Sequence, residues 1–145
     1  MINLTVHLDA SPERVWAELA NLGSHAEWMA DAGAIHFVTD QTTGVGTEMR
    51  VPTRIGPLRT NDLMTVVEWV EGRLIAVEHV GAVSGVGRFE ISPADGGTRL
   101  SWSEQLRFPW WLAGPLGAML ARPFLKRVWR GNLLRFGERV TLSDP

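Results

Sequence analysis

Three residues of this chain combine the chemistry and the spacing that proton transfer needs: Asp62, His79 and Glu104. An imidazole titrates near neutral pH, and a carboxylate within reach can orient it. His79, paired with Asp62 or with Glu68, would make such an acid/base unit if the strands carrying them share a face. Glu104 follows Leu100 and Trp102 at period two, which puts it on their buried face. A carboxyl there is costly and shifts its pKa upward unless it is paired. It would then donate a proton or anchor a ligand, or else pair with an arginine at the sheet edge. The competing arrangement puts His79 and its carboxylates at strand ends or facing water, because a slip of one residue in register turns every side chain over.

Other chemistries find less support. The four histidines, at 7, 25, 36 and 79, show no metal-ligand spacing, and the chain has no Cys, which removes thiolate sites and disulfides. No Ser-His-Asp order or nucleophile elbow points to acyl transfer. No GxGxxG opens a helix and no Walker lysine is present. The sequence therefore implies neither a metal nor a cofactor.

The elements that must position these residues follow from periodicity. Ile2, Leu4, Val6 and Leu8 alternate with polar residues as a half-buried strand. Ser11 is the N-cap of a helix with Pro12 at its first position, and Val15, Trp16, Leu19 and Leu22 form its apolar side. Gly23 ends it, and Ser24 caps a second short helix closed by Trp28 and Met29. Strands are then expected over 35–39, 47–55, 58–70, 74–80, 88–92 and 98–106, with the glycines at 81, 85 and 87 breaking the pattern before Arg88. Short connections between them imply antiparallel hairpins. After Trp110-Trp111-Leu112, a long helix opened or kinked by Pro123 carries Leu125, Val128, Trp129, Leu133, Phe136 and Val140 on one stripe.

A two-residue loop at Gly56-Pro57 fixes a register in which Val51 faces Asp62 and Met49 faces Met64. The more apolar face then holds Met49, Val51, Asp62, Met64, Val66 and Glu68. Across Glu71-Gly72 the same face receives Ile75, Val77 and His79, with His79 near Met64.

The order strand, two helices, six strands and long helix, with Asp9-Ala10-Ser11-Pro12-Glu13-Arg14-Val15-Trp16 and Glu27-Trp28-Met29, resembles the START-like helix-grip (SRPBCC) superfamily. The polyketide cyclase/dehydrase and lipid-transport branch is the most similar. Gly44-Val45-Gly46-Thr47, Val66-Val67-Glu68-Trp69, Gly96-Gly97-Thr98-Arg99-Leu100-Ser101-Trp102 and Gly114-Pro115-Leu116-Gly117 add to the likeness. The resemblance spans the chain and implies one α+β domain over 1–145: a bent antiparallel sheet of about seven strands around a long C-terminal helix. It also implies a cavity for a hydrophobic or aromatic small molecule. It brings no catalytic motif with it.

Such cavities have apolar walls and few polar groups. Trp28, Met49, Met64, Trp102, Met119, Phe124 and Trp129 are candidate lining residues, with Glu68 as a polar contact. Asn132, set within the apolar stripe, would face a ligand polar group or bond to the backbone. Seven Trp without any Tyr fit either core packing or indoles on a cavity wall.

At 145 residues the chain can bury roughly 68–70% of its unfolded surface and needs no staple. Fourteen basic and sixteen acidic residues leave a charge of −2, which argues against nucleic acid as a partner. Arg122, Lys126, Arg127, Arg130, Arg135 and Arg139 face only Glu138 in the last helix, so an acidic partner or a solvated face is open there. Trp110 and Trp111 beside them suit a peripheral membrane contact or a lid over the cavity. No secretory pattern opens the chain and no apolar run reaches the roughly 20 residues that span a bilayer, so a soluble cytoplasmic protein, monomer or homodimer, is expected. Three functions follow: a carrier or sensor of a hydrophobic small molecule, a cyclase or dehydratase using the cavity acids and imidazole, and a partner-docking module.

Overall fold

The computed structural model describes residues 1–142. Seven strands, β1 (Ile2–Leu8), β2 (His36–Phe37), β3 (Glu48–Ile55), β4 (Leu58–Val70), β5 (Leu74–Val80), β6 (Ser84–Ala94) and β7 (Gly97–Arg107), form one antiparallel sheet. Their order is β1-β7-β6-β5-β4-β3-β2, a meander closed on one side by the first strand. Helix α1 (Pro12–Ala20) and a 3-10 helix (Leu22–Glu27) follow β1, and helix α2 (Gly114–Leu142) ends the described chain. This is the α+β helix-grip architecture.

The start of α1 is built as its residues dictate. The Ser11 hydroxyl accepts from the Arg14 backbone N–H, and Pro12 occupies the first turn, where its missing N–H costs nothing. Across the sheet, Thr98 donates its hydroxyl to the Ala10 carbonyl at 2.8 Å, tying the strand-to-helix corner to β7. On the concave side, where Trp69 shares its face with Ile75 and Phe89, the indoles of Trp16 and Trp69 each donate to one oxygen of Glu71 at 2.9 Å, and their rings meet edge to face at 5.4 Å. That carboxylate, at the β4–β5 turn, fastens α1 to the sheet.

The core lies between the sheet's concave face and α2. Leu125, Trp129, Leu133, Phe136 and Val140 are all buried on the helix stripe, with Val128 packed at its margin. Fully burying side chains of this size contributes about 1.5–3 kcal/mol each. Trp28 sits at the centre of an aromatic cluster: its ring lies 4.9 Å from Phe136, 5.0 Å from His25, 6.2 Å from Phe89 and 6.4 Å from Trp102. Most of these contacts are edge to face, the arrangement the ring quadrupoles favour.

Several features differ from the sequence reading. Helix α1 ends at Ala20, and Gly23 and Ser24 lie inside the 3-10 helix rather than ending one helix and capping the next. Strand β2 keeps only His36 and Phe37 of the expected 35–39. Strand β6 begins at Ser84, so Gly85 and Gly87 lie inside it instead of breaking the chain. Helix α2 begins at Gly114 and runs through Pro123 rather than opening there. In β4 a bulge falls between Val66 and Glu68: Val66 faces Val77, but Glu68 faces Ala76. One extra residue on one strand reverses the phase beyond it, so Glu68 turns to the outer face.

Candidate functional site

The predicted hairpin register is the one found: Val51 opposes Asp62, Met49 opposes Met64 and Met64 opposes His79. The concave face therefore receives Asp62 from β4 and His79 from β5. On β7 the inward residues are Trp102, Glu104 and Leu106, which oppose Phe89, Gly87 and Gly85 of β6. His79 and Glu104 stand on strands separated by β6, about 9–10 Å apart at the usual strand spacing. Gly85 and Gly87 leave that stretch of β6 without side chains, and the two groups meet over it. His79 Nε2 lies 3.1 Å from Glu104 Oε2, with the side chains only 12% and 10% exposed. The other carboxylate oxygen accepts from Trp102 Nε1 at 3.1 Å.

The glycines are structural requirements of this arrangement. A Cβ on Gly87 would collide with Glu104 Oε1, and one on Gly81 would collide with Asp62 Oδ1. Asp62 accepts from the Thr60 hydroxyl at 3.0 Å, while the same hydroxyl oxygen accepts from the Ala82 backbone N–H.

Burial opposes a charge on His79. The hydrogen bond and charge of Glu104, the charge of Asp62 and a bond to the Val83 backbone outweigh it, and the imidazole pKa stands above its usual value. For Asp62 burial wins: it raises the carboxyl pKa against the Thr60 bond, the His79 charge and a Thr53 bond, and Asp31 adds to the rise. The wall thus presents a readily protonated imidazole on a carboxylate and, beside it, a carboxyl that resists ionisation.

These groups line a cavity of about 110 Å³. Met49, Met64, Val77, Phe89, Trp102 and Trp129 supply apolar walls. Of the residues singled out from sequence, the structure brings Asp62, His79, Glu104, Met49, Met64, Trp102 and Trp129 to this cavity. It does not bring Glu68, Trp28, Met119, Phe124 or Asn132 there. Glu68 pairs with Arg88 at 2.9 Å on the outer face, both flanking Ala76, as the bulge dictates. Trp28 is 1% exposed and belongs to the core, packed against His25 and Phe89, whose own side chains line the cavity. Met119 and Phe124 are 64% and 48% exposed, on the part of α2 that precedes the buried stripe, and Met119 lines a second cavity instead.

Asn132 serves a different purpose from ligand contact. Its Oδ1 accepts from the Ala30 backbone N–H at 2.9 Å and from Arg135, and its Nδ2 donates to Asp31 at 2.8 Å. Asp31 also accepts from Trp129 Nε1 at 3.0 Å, so α2 is pinned to the loop after the 3-10 helix. Asp31 and His25 line the cavity and were not singled out from sequence. His25 sits in a 3-10 helix too short for its face to be counted, and Asp31 follows in a loop. His25 Nε2 lies 2.8 Å from the Leu19 carbonyl. A carbonyl only accepts, so that nitrogen carries the proton, and burial lowers the imidazole pKa to about 4.

Two of the six basic residues of α2 are structural. Arg139 pairs with Glu18 at 2.7 Å and Glu27 at 3.4 Å, and Arg135 donates to the Trp28 carbonyl at 3.0 Å. Glu104, expected to pair with an arginine if not free, has His79 and Trp102 as its partners.

Solved structures share this architecture. A START superfamily protein from Mycobacterium smegmatis is 12% identical, covers 99% of this chain and 98% of its own, and superposes with a TM-score of 0.76. A conserved protein from Geobacillus kaustophilus is 12% identical, with a TM-score of 0.81 over 97% of this chain and 95% of its own. A protein from Thermus thermophilus is 17% identical, with a TM-score of 0.77 over 99% of both chains. At these identities the likeness is one of fold. No curated protein matches the sequence. The family described as polyketide cyclase / dehydrase and lipid transport matches residues 2–141, a span that holds the sheet, both helices and the whole cavity wall, and this chain belongs to that family.

Proposed function

We propose that this domain is a carrier or sensor that holds a hydrophobic small molecule, lipid-like or aromatic, in the cavity between sheet and α2. The observation that carries this reading is the cavity's division of labour: walls of Met, Val, Phe and Trp with polar groups gathered at His79, Glu104 and Asp62. Such a wall favours an apolar ligand bearing a hydroxyl or carbonyl that can exchange hydrogen bonds with a protonated imidazole or carboxyl. The test is binding of the neutral probe N-phenyl-1-naphthylamine to the wild type and to Met64→Trp, which fills the cavity. Saturable binding lost in the variant is expected. Binding equal in the two proteins overturns the reading. Mass spectrometry of the purified protein under native conditions then identifies any small molecule it retains.

A second reading, a cyclase or dehydratase, is favoured by one observation. His79 is oriented by Glu104 and feels the charge of Asp62 in a largely water-excluded space, and an imidazole with a raised pKa exchanges protons near neutrality. Under it, His79→Ala abolishes turnover of a ligand that still binds; loss of binding together with turnover sinks it.

Membrane contact belongs to the carrier reading. Trp110, Trp111, Leu116, Met119, Leu120 and Phe124 are all at least 48% exposed, and the exposed Arg127 and Arg130 follow within two turns. Apolar side chains followed by cations suit the surface of an anionic bilayer, which takes up the first and neutralises the second. No helix among the described residues is long and apolar enough to cross one.

A further inference from the structure

A second cavity, of about 410 Å³, opens beneath the first half of α2. It exists because the helix presents small side chains inward there. Ala118 occupies the helical position that Leu125 and Trp129 fill further along, so helix and sheet are not in full contact. Ile2, Leu106, Phe108 and Pro115 supply apolar walls. Two arginines also line it, Arg107 from the last residue of β7 and Arg122 from α2. Neither makes an ion pair with a carboxylate among the described residues.

The two cavities share a wall. Glu104 and Leu106 line both. The Glu104 carboxylate is engaged on the inner side by His79 and Trp102, which leaves the two arginines as the uncompensated charge of the outer groove. Size points the same way. The inner cavity takes a fragment of a ligand, whereas sites for whole small molecules run to roughly 300–1,000 Å³. The groove, at about 410 Å³, lies within that range and borders the inner cavity along Glu104 and Leu106.

We propose that the groove binds the anionic end of an amphiphilic ligand, a carboxylate or a phosphate, on Arg107 and Arg122, and that the ligand's apolar part passes Leu106 into the inner cavity. This inference rests on the reading of the inner cavity as a hydrophobic site. Guanidinium groups match both headgroups because their paired N–H donors meet two oxygens at once. The exposed positions of both arginines let the headgroup keep part of its hydration while the chain is buried.

The experiment titrates the whole chain with oleic acid, oleyl phosphate and oleyl alcohol, reading displacement of N-phenyl-1-naphthylamine. At least one of the two anions is expected to bind tenfold or more tightly than the alcohol, and the tighter of them identifies the headgroup. In Arg107→Ala/Arg122→Ala that preference disappears while probe and alcohol bind as before. In Arg107→Lys/Arg122→Lys part of it returns. Equal affinity for anions and alcohol in the wild type overturns the proposal, as does a preference that survives in the double alanine variant. A wild type that does not bind the probe at all marks failure of the inner-cavity reading instead.

Discussion

His79 on β5 and Glu104 on β7 hydrogen-bond at 3.1 Å across an intervening strand, over a position, Gly87, that has no side chain. The pair depends on that gap. A methyl group at 87 would displace the carboxylate from both His79 and Trp102. Gly87→Ala should therefore cost about 1–3 kcal/mol, the range for leaving buried polar groups without partners. It should also lower the His79 pKa, read from the imidazole proton shifts in an NMR titration. A His79 titration unchanged in Gly87→Ala would show that the pair does not need the gap.

The same pair sets a pH dependence. The folded-state pKa of His79 is raised above 6.5, so its stabilising contribution is complete below that pH and is lost as pH rises through the folded value. Glu104→Gln removes the charge that raises it. The variant should lose less stability than the wild type between pH 6 and pH 9 in urea unfolding. Parallel stability curves for the two proteins would contradict this.

His25 and Glu18 work in the opposite sense. A histidine held at about 4 against an ordinary 6.5 contributes stability above pH 6.5 that is lost as pH falls toward 4. Those figures correspond to about 3 kcal/mol by pH 4. Glu18 adds to the loss in acid. Burial alone would raise its pKa, but the Arg139 hydrogen bond and charge, with Arg14, hold it below the usual value, so protonation weakens the fold. His25→Gln should flatten the decline between pH 6.5 and 4. A decline as steep as that of the wild type would assign the acid sensitivity elsewhere.

Asn132→Ala should destabilise the protein by about 2–4 kcal/mol, since it strips partners from the Ala30 N–H and from Asp31 and opens a cavity under α2. Thermal unfolding measures it. The probe affinity of the folded fraction should change little, because Asn132 is not on the cavity wall.

Membrane contact is checked by co-sedimentation with vesicles of phosphatidylcholine alone or with phosphatidylserine. Binding should require the anionic lipid and weaken with salt. Trp110→Ser/Trp111→Ser should reduce it several-fold, and so should Arg127→Ala/Arg130→Ala. Vesicle binding that ignores both pairs would rule this face out, and concentration-dependent dimerisation abolished by the Trp pair would assign it to a second copy of the chain.

Much of this architecture could be read from sequence because its signals are local. Ser11-Pro12 starts α1, and the two-residue loop at Gly56-Pro57 fixes which face of β3 and β4 turns inward. That register brought Asp62, Met64 and His79 to one wall. What could not be read depended on single residues acting across strands. The bulge before Glu68 reverses a face without any glycine or proline to mark it. Gly85 and Gly87 look like breaks in a pattern, yet they are the room that lets Glu104 reach His79. Met119 and Phe124 fit a helix that faces the inner cavity, but the large side chains of α2 are buried only from Leu125 onward, and Met119 lines the outer groove.

The neighbouring indoles of Trp102 and Trp129, with ring centroids 5.3 Å apart and planes tilted by 30°, both lie on the cavity wall of a chain that has no tyrosine. Indole emission shifts with the polarity of its surroundings, and ultraviolet excitation here meets no phenol to share the signal. Replacing water beside that pair by hydrocarbon should move the emission to shorter wavelength. The protein carries its own optical gauge of occupancy, set into the surface that a ligand touches, and a candidate molecule can be scored against it without attaching a dye.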